Sequence, residues 1–255
     1  MDQRKNVPKN IQQSHTKSAI EKRIQKGASH SYLKDIIYGS IDGVVTTFAV
    51  VAGAEGAKFS SQVVVILGLA NLIADGFSMA VSNYLGTQAE EEMKVKAEKE
   101  ERLHIELVPE GEREEIRQIF KKKGVAGEAL EKIVDVITAD KDLWVKTMLQ
   151  EEIGIPSTPI SPLKAAFFTF IAFVIIGFFP LSLYFLQLYF GFEIEHPFFW
   201  SSVITALAFF TVGSIKSRYV VKSWLRSGLE TLLLGGCAAM LAYVIGILLK
   251  ATIPA

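Results

Sequence analysis

One cysteine, Cys237, and four histidines are the only thiol and imidazole groups among 255 residues. A disulfide within the chain is therefore excluded, and a thiolate metal cluster lacks ligands. Placed inside an apolar run, Cys237 reads as a small buried hydrophobe. Net charge is lacking too, with 27 Lys and Arg against 27 Asp and Glu. That zero averages a basic start, a mixed acidic and basic middle and nearly uncharged runs. No nucleophile–base pair, phosphate loop or HExxH pattern occurs, which argues against an enzyme. No signal-peptide pattern opens the chain. The start is polar and basic (Arg4, Lys5, Lys9, Lys17, Lys22, Arg23, Lys26), with no short apolar stretch close behind. Ala19, Ile20 and Ile24 among these lysines suit either a short interfacial helix or disorder.

What is present is apolar and unevenly placed. Hydrophobic residues make up 50% of the chain and gather in long runs, where a soluble domain would mix them with polar residues at helix or strand period. A hydrocarbon core of about 30 Å needs roughly 20 apolar residues as a helix. Five segments meet this, at 36–55, 62–86, 165–190, 198–216 and 229–250. The fold class is an all-α polytopic membrane protein with five transmembrane helices. Gly177 and Pro180 predict a kink in the third span, a structural bend rather than a gating hinge.

Flanking Lys and Arg set the orientation. The N-terminal segment is rich in them, and the loop between spans four and five carries Lys216, Arg218, Lys222 and Arg226. The loop between the first two spans has only Lys58. That between the third and fourth has Glu193 and Glu195 and no Lys or Arg. The N-terminus, the long insert after span two and the 216–228 loop are therefore expected in the cytoplasm, and the C-terminus outside. Membrane flanking also accounts for the basic residues, so no nucleic-acid surface is indicated. The expected domains are a cytoplasmic segment 1–34, helices one and two within 35–87, a cytoplasmic helical insert 88–160, and helices three to five within 161–255.

The insert is highly charged. Its predicted helices cover 88–106, broken by Leu107-Val108-Pro109, then 111–123, 127–138 and 140–153, with Gly124 and Gly154 as stops and 155–162 as a linker. Glu101 and His104 are three apart, as are Glu112 and Glu115. Met148 and Glu152 are four apart. Each pair can share a helix face. Such a set suits Fe²⁺, Mn²⁺ or Zn²⁺ better than Ca²⁺, although glutamates on a charged helix are commonly just solvated.

The membrane segments carry polar groups of their own. Asp42 lies inside the first apolar run, between Gly39 and Gly43, whose small-xxx-small spacing permits close helix approach. A carboxylate there costs a few kcal/mol unless paired or hydrated, so such acids mark ion paths. The second span sets Asn71, Asp75, Ser78, Met79 and Ser82 on one helix face. Carboxylate plus thioether favours a borderline or soft divalent ion over Mg²⁺ or Ca²⁺.

Over 33–249 the chain resembles the vacuolar iron transporter family. The resemblance rests on Gly39-Ser40-Ile41-Asp42-Gly43 with Thr46-Thr47-Phe48-Ala49, and on Gly68-Leu69-Ala70-Asn71 through Ser78-Met79 to Tyr84-Leu85. Leu143-Trp144 through Met148 to Glu152-Ile153-Gly154 adds to it. It implies a homodimer with a path between the two first spans, lined by Asp42 and Met79. It further implies insert ligands at Glu101, Glu112, Glu115, Met148 and Glu152. Three positions depart from the plant members. His104 replaces a glutamate and remains a ligand candidate when its ring is neutral. Leu149 replaces a methionine and cannot ligate. Asn71 replaces a membrane glutamate, for which Asp75, one turn on, is the substitute. The implied function is movement of Fe²⁺ or Mn²⁺ out of the cytoplasm in exchange for protons, with Zn²⁺ or Co²⁺ as further cargo and no separate cofactor. The alternative is a membrane-anchored metal sensor or storage partner.

Overall fold

The computed structural model describes residues 9–26, 31–156 and 158–252, and within them every regular element is a helix. Arg4 and Lys5 of the basic start, and residue 157 of the linker, lie outside the described residues. In chain order the helices are α1 (Lys9–Ser14), α2 (Lys17–Lys26), α3 (Leu33–Gly56), α4 (Ser61–Leu107), α5 (Pro109–Lys122), α6 (Glu128–Thr138), α7 (Lys141–Glu151), α8 (Pro162–Gly177), α9 (Phe179–Phe190), α10 (Pro197–Lys216) and α11 (Trp224–Thr252). The chain divides into two compact units. One holds Tyr32–Glu90 with the chain from Ser161 onward, the other the N-terminal segment to Ser31 with Glu91–Ile160.

The first of these is apolar. Four helices, α3, α4, α10 and α11, are long and apolar enough to cross a membrane. The pair α8 and α9, bent by 57°, makes a fifth if it counts as one span. The bend falls where Pro180 cannot donate to the preceding turn, as the Gly177–Pro180 spacing predicts. The Ser201 hydroxyl donates to the Pro180 carbonyl at 2.6 Å, tying α10 to the break.

α3 is the hub of this unit. Val44, Phe48 and Val51 are buried in a core with Leu72 of α4, Phe173 of α8, Tyr184 of α9 and Phe209 of α10. Gly39 and Gly43 do permit close approach, and their partner is α8. A Cβ at Gly39 would run into the carbonyl oxygen of Thr169, and one at Gly43 into that of Phe173. At Gly177 it would lie 2.8 Å from the Gly43 carbonyl oxygen. Because the obstacles are backbone, they cannot rotate away. Gly43→Ala is expected to lose about 1–3 kcal/mol, read as a lower thermal unfolding midpoint in detergent. Gly236→Ala, where a Cβ meets open space, should leave the midpoint unchanged or raised. Equal midpoints for the two variants would show that the seam is not tight.

Cys237 corrects the sequence reading. It is exposed on α11, not buried. In a membrane helix the outward face is as apolar as the packed one, so hydrophobicity alone does not separate them.

The second unit is built on a compact core of Ile105, Ile116, Val134, Ile137, Trp144, Val145 and Met148. Its helix boundaries follow local signals. Pro109 opens α5 at a position where no N–H is needed. The left-handed Gly124 follows α5, and Gly154 lies just past α7. Asp140 caps α7 by accepting from the amides of Asp142 and Leu143 at 2.9 and 3.2 Å. Around the core run ion pairs such as Arg117–Glu131 and Arg113–Asp135. The segment around Ala19, Ile20 and Ile24 is helical, as α2, with Ile24 exposed.

Candidate functional site

In the apolar unit Asp42 sits half-buried on the third turn of α3. Its backbone carbonyl accepts from the Thr46 hydroxyl at 3.0 Å. Asp75 of α4 stands near enough for the two carboxylates to repel each other. Asn71, Asp75 and Met79 follow one another at successive turns of α4 and are all half-buried, whereas Ser78 and Ser82 are exposed. The polar face read from the sequence thus narrows to a ridge at four-residue spacing.

That ridge continues to Asn83, which sequence reasoning missed. Its amide Nδ2 donates to Asp35 Oδ1 at 2.9 Å and to Thr169 Oγ1 at 2.7 Å, while its Oδ1 accepts from Thr87 at 3.4 Å. One side chain therefore joins α3, α4 and α8. A signal for Asn83 was available, since extending 71, 75 and 79 by four reaches 83. Asp35 precedes the apolar run, where an acid carries no signal of its own. Thr169 gave no signal, because a hydroxyl in an apolar helix usually bonds its own backbone. Asn83→Leu removes both donors at once and is expected to cost about 1–3 kcal/mol. Thermal unfolding of the purified protein checks this, and an unshifted midpoint would count against the network.

Asp42 and Met79 line different cavities. Asp42 opens on one of about 550 Å³ with Lys34, Tyr38, Lys216 and Tyr219. Met79 opens on one of about 330 Å³ with Asp35, Ser82, Asn83 and Thr169. Lys34 and Tyr38 line both.

In the charged unit Glu101 and Glu112 are 4% and 7% exposed, unusual for carboxylates. Glu112, Glu115 and Glu152 all lie within electrostatic reach of Glu101. Burial, then the Glu112 carboxylate, pushes Glu101 up to about 8. Burial also raises Glu115, with Glu112 and Glu152 adding to the effect and His104 opposing it. His104 Nδ1 is 3.8 Å from Glu112 Oε1. Two buried carboxylate oxygens, Glu101 Oε1 and Glu112 Oε2, have no hydrogen-bond partner among the described residues. Even so, no three Asp, Glu, His or Cys side chains among the described residues stand close enough to hold a metal as they are. Met148 is fully buried in the core, and Leu149 packs in the same cluster. Glu152 is exposed at the end of α7. Electrostatic reach thus links Glu101 to Glu112, Glu115 and Glu152, and Glu115 to His104, while Met148 of α7 lies in the packing of the core.

Long apolar helices with carboxylates among them define an integral membrane protein with a charged helical unit. Its relatives are consistent with that class. The chain belongs to the VIT family, whose model matches residues 33–247. It is 33% identical over 235 residues to the vacuolar iron transporter of Toxoplasma gondii, covering 89% of this chain and 77% of that protein. To the vacuolar iron transporter of Plasmodium falciparum it is 31% identical over 224 residues, covering 86% and 82%. To vacuolar iron transporter 1 of Arabidopsis thaliana it is 33% identical over 215 residues, covering 83% of each.

Proposed function

We propose that this chain is a transporter, not an enzyme, and that it moves Fe²⁺, and Mn²⁺ by the same chemistry, out of the cytoplasm. The observation that carries this reading is the pair Asp42 and Asp75, two acids within electrostatic reach of each other among apolar helices. Two ionised carboxylates in a low-dielectric region repel strongly unless a cation or a proton joins them. A dication satisfies both at once, and its departure leaves a place for a proton. Exchange of metal for proton follows from that alternation. Met79 contributes a soft donor that discriminates against Mg²⁺ and Ca²⁺, and Asn71 an amide oxygen on the same ridge.

In this reading the charged unit is a cytoplasmic metal-binding domain, with Glu101, Glu112, Glu115, His104 and Glu152 as oxygen and nitrogen donors. Met148 joins them only if α7 shifts. The N-terminus is cytoplasmic and the C-terminus lies outside, or in the vacuole lumen of a eukaryote. A homodimer with its path between the α3 helices places two copies of Asp42 about one axis. The names of the relatives support iron as cargo.

Purified protein in liposomes, loaded with Fe²⁺, Mn²⁺, Zn²⁺ or Co²⁺ at two pH gradients, tests the reading. Metal flux that rises with an opposing proton gradient is expected. Metal bound without flux would favour a membrane-anchored sensor or store, for which the buried Glu101–Glu112 pair alone would suffice.

A further inference from the structure

Helix α2 has no part in the transport reading, yet its sequence is patterned. Lys17, Lys22, Arg23 and Lys26 stand against one acid, Glu21. Ile20 and Ile24 are four apart and share a helix face. Ile20 is half-buried, and Ile24 is 72% exposed. Lys17 and Arg23 stand three residues to either side of Ile20 and so border that face, as Glu21 does three before Ile24. Lys22 lies on the opposite side of the helix. Lys17, Lys22 and Arg23 are exposed, and none of them forms an ion pair among the described residues.

The covalent chain limits where this helix can go. Lys26 and Leu33, the first residue of α3, are seven residues apart in the sequence. A fully extended chain spans at most about 3.6 Å per residue, so α2 stays within about 25 Å of the start of α3. That start is one end of a helix long and apolar enough to cross a membrane. Lys34 and Asp35, which open α3, carry opposite charges and add no net field. An exposed isoleucine bordered by basic residues, tethered this close to a bilayer, has the make-up of an interfacial helix. Each Lys or Arg near an anionic leaflet adds about 1 kcal/mol of attraction. The competing partner is Glu91–Ile160 of the same unit, where acids outnumber bases. Several of those acids are already held by that segment's own bases, as Glu98 and Asp142 are by Arg102 and Glu131 by Arg117.

We propose that α2 lies in the bilayer interface, with Ile20 and Ile24 at the acyl boundary and Lys17 and Arg23 among the phosphates of anionic phospholipids. The proposal rests on the membrane class of the chain and not on transport.

Spin labels on the full-length protein test it. Cys237→Ser removes the native thiol, and a nitroxide is then attached through Ile24→Cys or Lys22→Cys. The protein is placed in nanodiscs of phosphatidylcholine, with or without phosphatidylglycerol. Collisions with oxygen, which concentrates among acyl chains, and with a nickel chelate, which stays in water, read the depth of each label. With phosphatidylglycerol present, the label at 24 should favour oxygen and the label at 22 the chelate. Without it, the label at 24 should shift toward the chelate. Lys17→Gln with Arg23→Gln should lower the ratio of bound to free α2 about twenty-five-fold, about fivefold for each charge. Lys17→Arg with Arg23→Lys should keep the wild-type ratio, which separates charge from side-chain shape. A label at 24 that favours the chelate in both lipids overturns the proposal. So does a depth that the double Gln variant leaves unchanged. Shielding of the label at 24 from both agents, alike in either lipid, would assign this face to a protein partner, and overturns the proposal as well.

Discussion

Asp42→Ala is expected to reduce Fe²⁺ flux in liposomes on the order of a hundredfold or more. Removing the charge partner of a desolvated ion costs about 3–5 kcal/mol, a factor of roughly 10² to 4 × 10³. Asp75, within electrostatic reach of Asp42, would remain, but one carboxylate cannot balance two charges. Asp42→Asn should lose as much as Asp42→Ala, because charge and not shape is at stake. Met79→Ala should lose less, about tenfold, since a thioether adds selectivity more than charge. Its loss should also narrow the preference for Fe²⁺ over Mg²⁺. Ser78→Ala, exposed on the same helix, serves as the control. Wild-type flux in a correctly folded Asp42→Ala protein would end the path through α3.

Metal binding by the charged unit is expected to strengthen as pH rises toward about 8, with release of a proton, and Glu101→Gln should abolish that dependence. Glu101 is held protonated in the fold up to about 8, by burial first and the Glu112 carboxylate second. A cation must displace that proton, so affinity grows as pH approaches this value. Stability runs the other way. The folded carboxyl is raised above its unfolded value, so the fold is most stable below the ordinary carboxylate range. It loses stability as pH climbs through about 8. Glu101→Gln, uncharged at every pH, should therefore outlast wild type above that pH and match it in acid. Mn²⁺ affinity should fall about 10- to 100-fold in the variant. Calorimetric titration of the full-length protein with Mn²⁺ across pH, beside thermal unfolding, reads both signs. An affinity that does not move with pH would remove Glu101 from the ligand set.

The long apolar runs were legible because a bilayer demands about 20 residues per span, and the insert helices because proline and glycine punctuate them. The continuity of α4, a single helix of 47 residues, was legible too, because the glutamate-dense run from Gln88 reads as a solvated helix extending the second span. Composition changes abruptly along it from apolar to charged, while its helix geometry does not. Of the candidate site, spacing shows the placement along one helix, as in Asn71, Asp75 and Met79 at successive turns of α4. The site was hidden where the chemistry depends on which helix lies opposite. Nothing in the sequence pairs Asp35 with Asn83, 48 residues away. Nor does spacing show that Glu101 and Glu112, on different helices, are both buried. For Cys237 the error came from treating apolar as inside, an equation valid in water and not in lipid.

The glycine contacts of α3 have a mechanical side. At its first half α3 meets α8 backbone to backbone through Gly39 and Gly43. At its second half Gly56 meets the Tyr243 carbonyl of α11, and Gly246 of α11 meets that of Gly53. By contrast, α4 meets its neighbours through side chains, with Gly68 against Leu181 and Gly76 against Phe173. Side chains can change rotamer and interlocked backbones cannot slide. In the transport reading, helix α3, with Asp42 on it, is expected to act as the stator and α4 to move. Spin-label distances from α3 to α8 should stay constant when Mn²⁺ is added, and those from α3 to α4 should change.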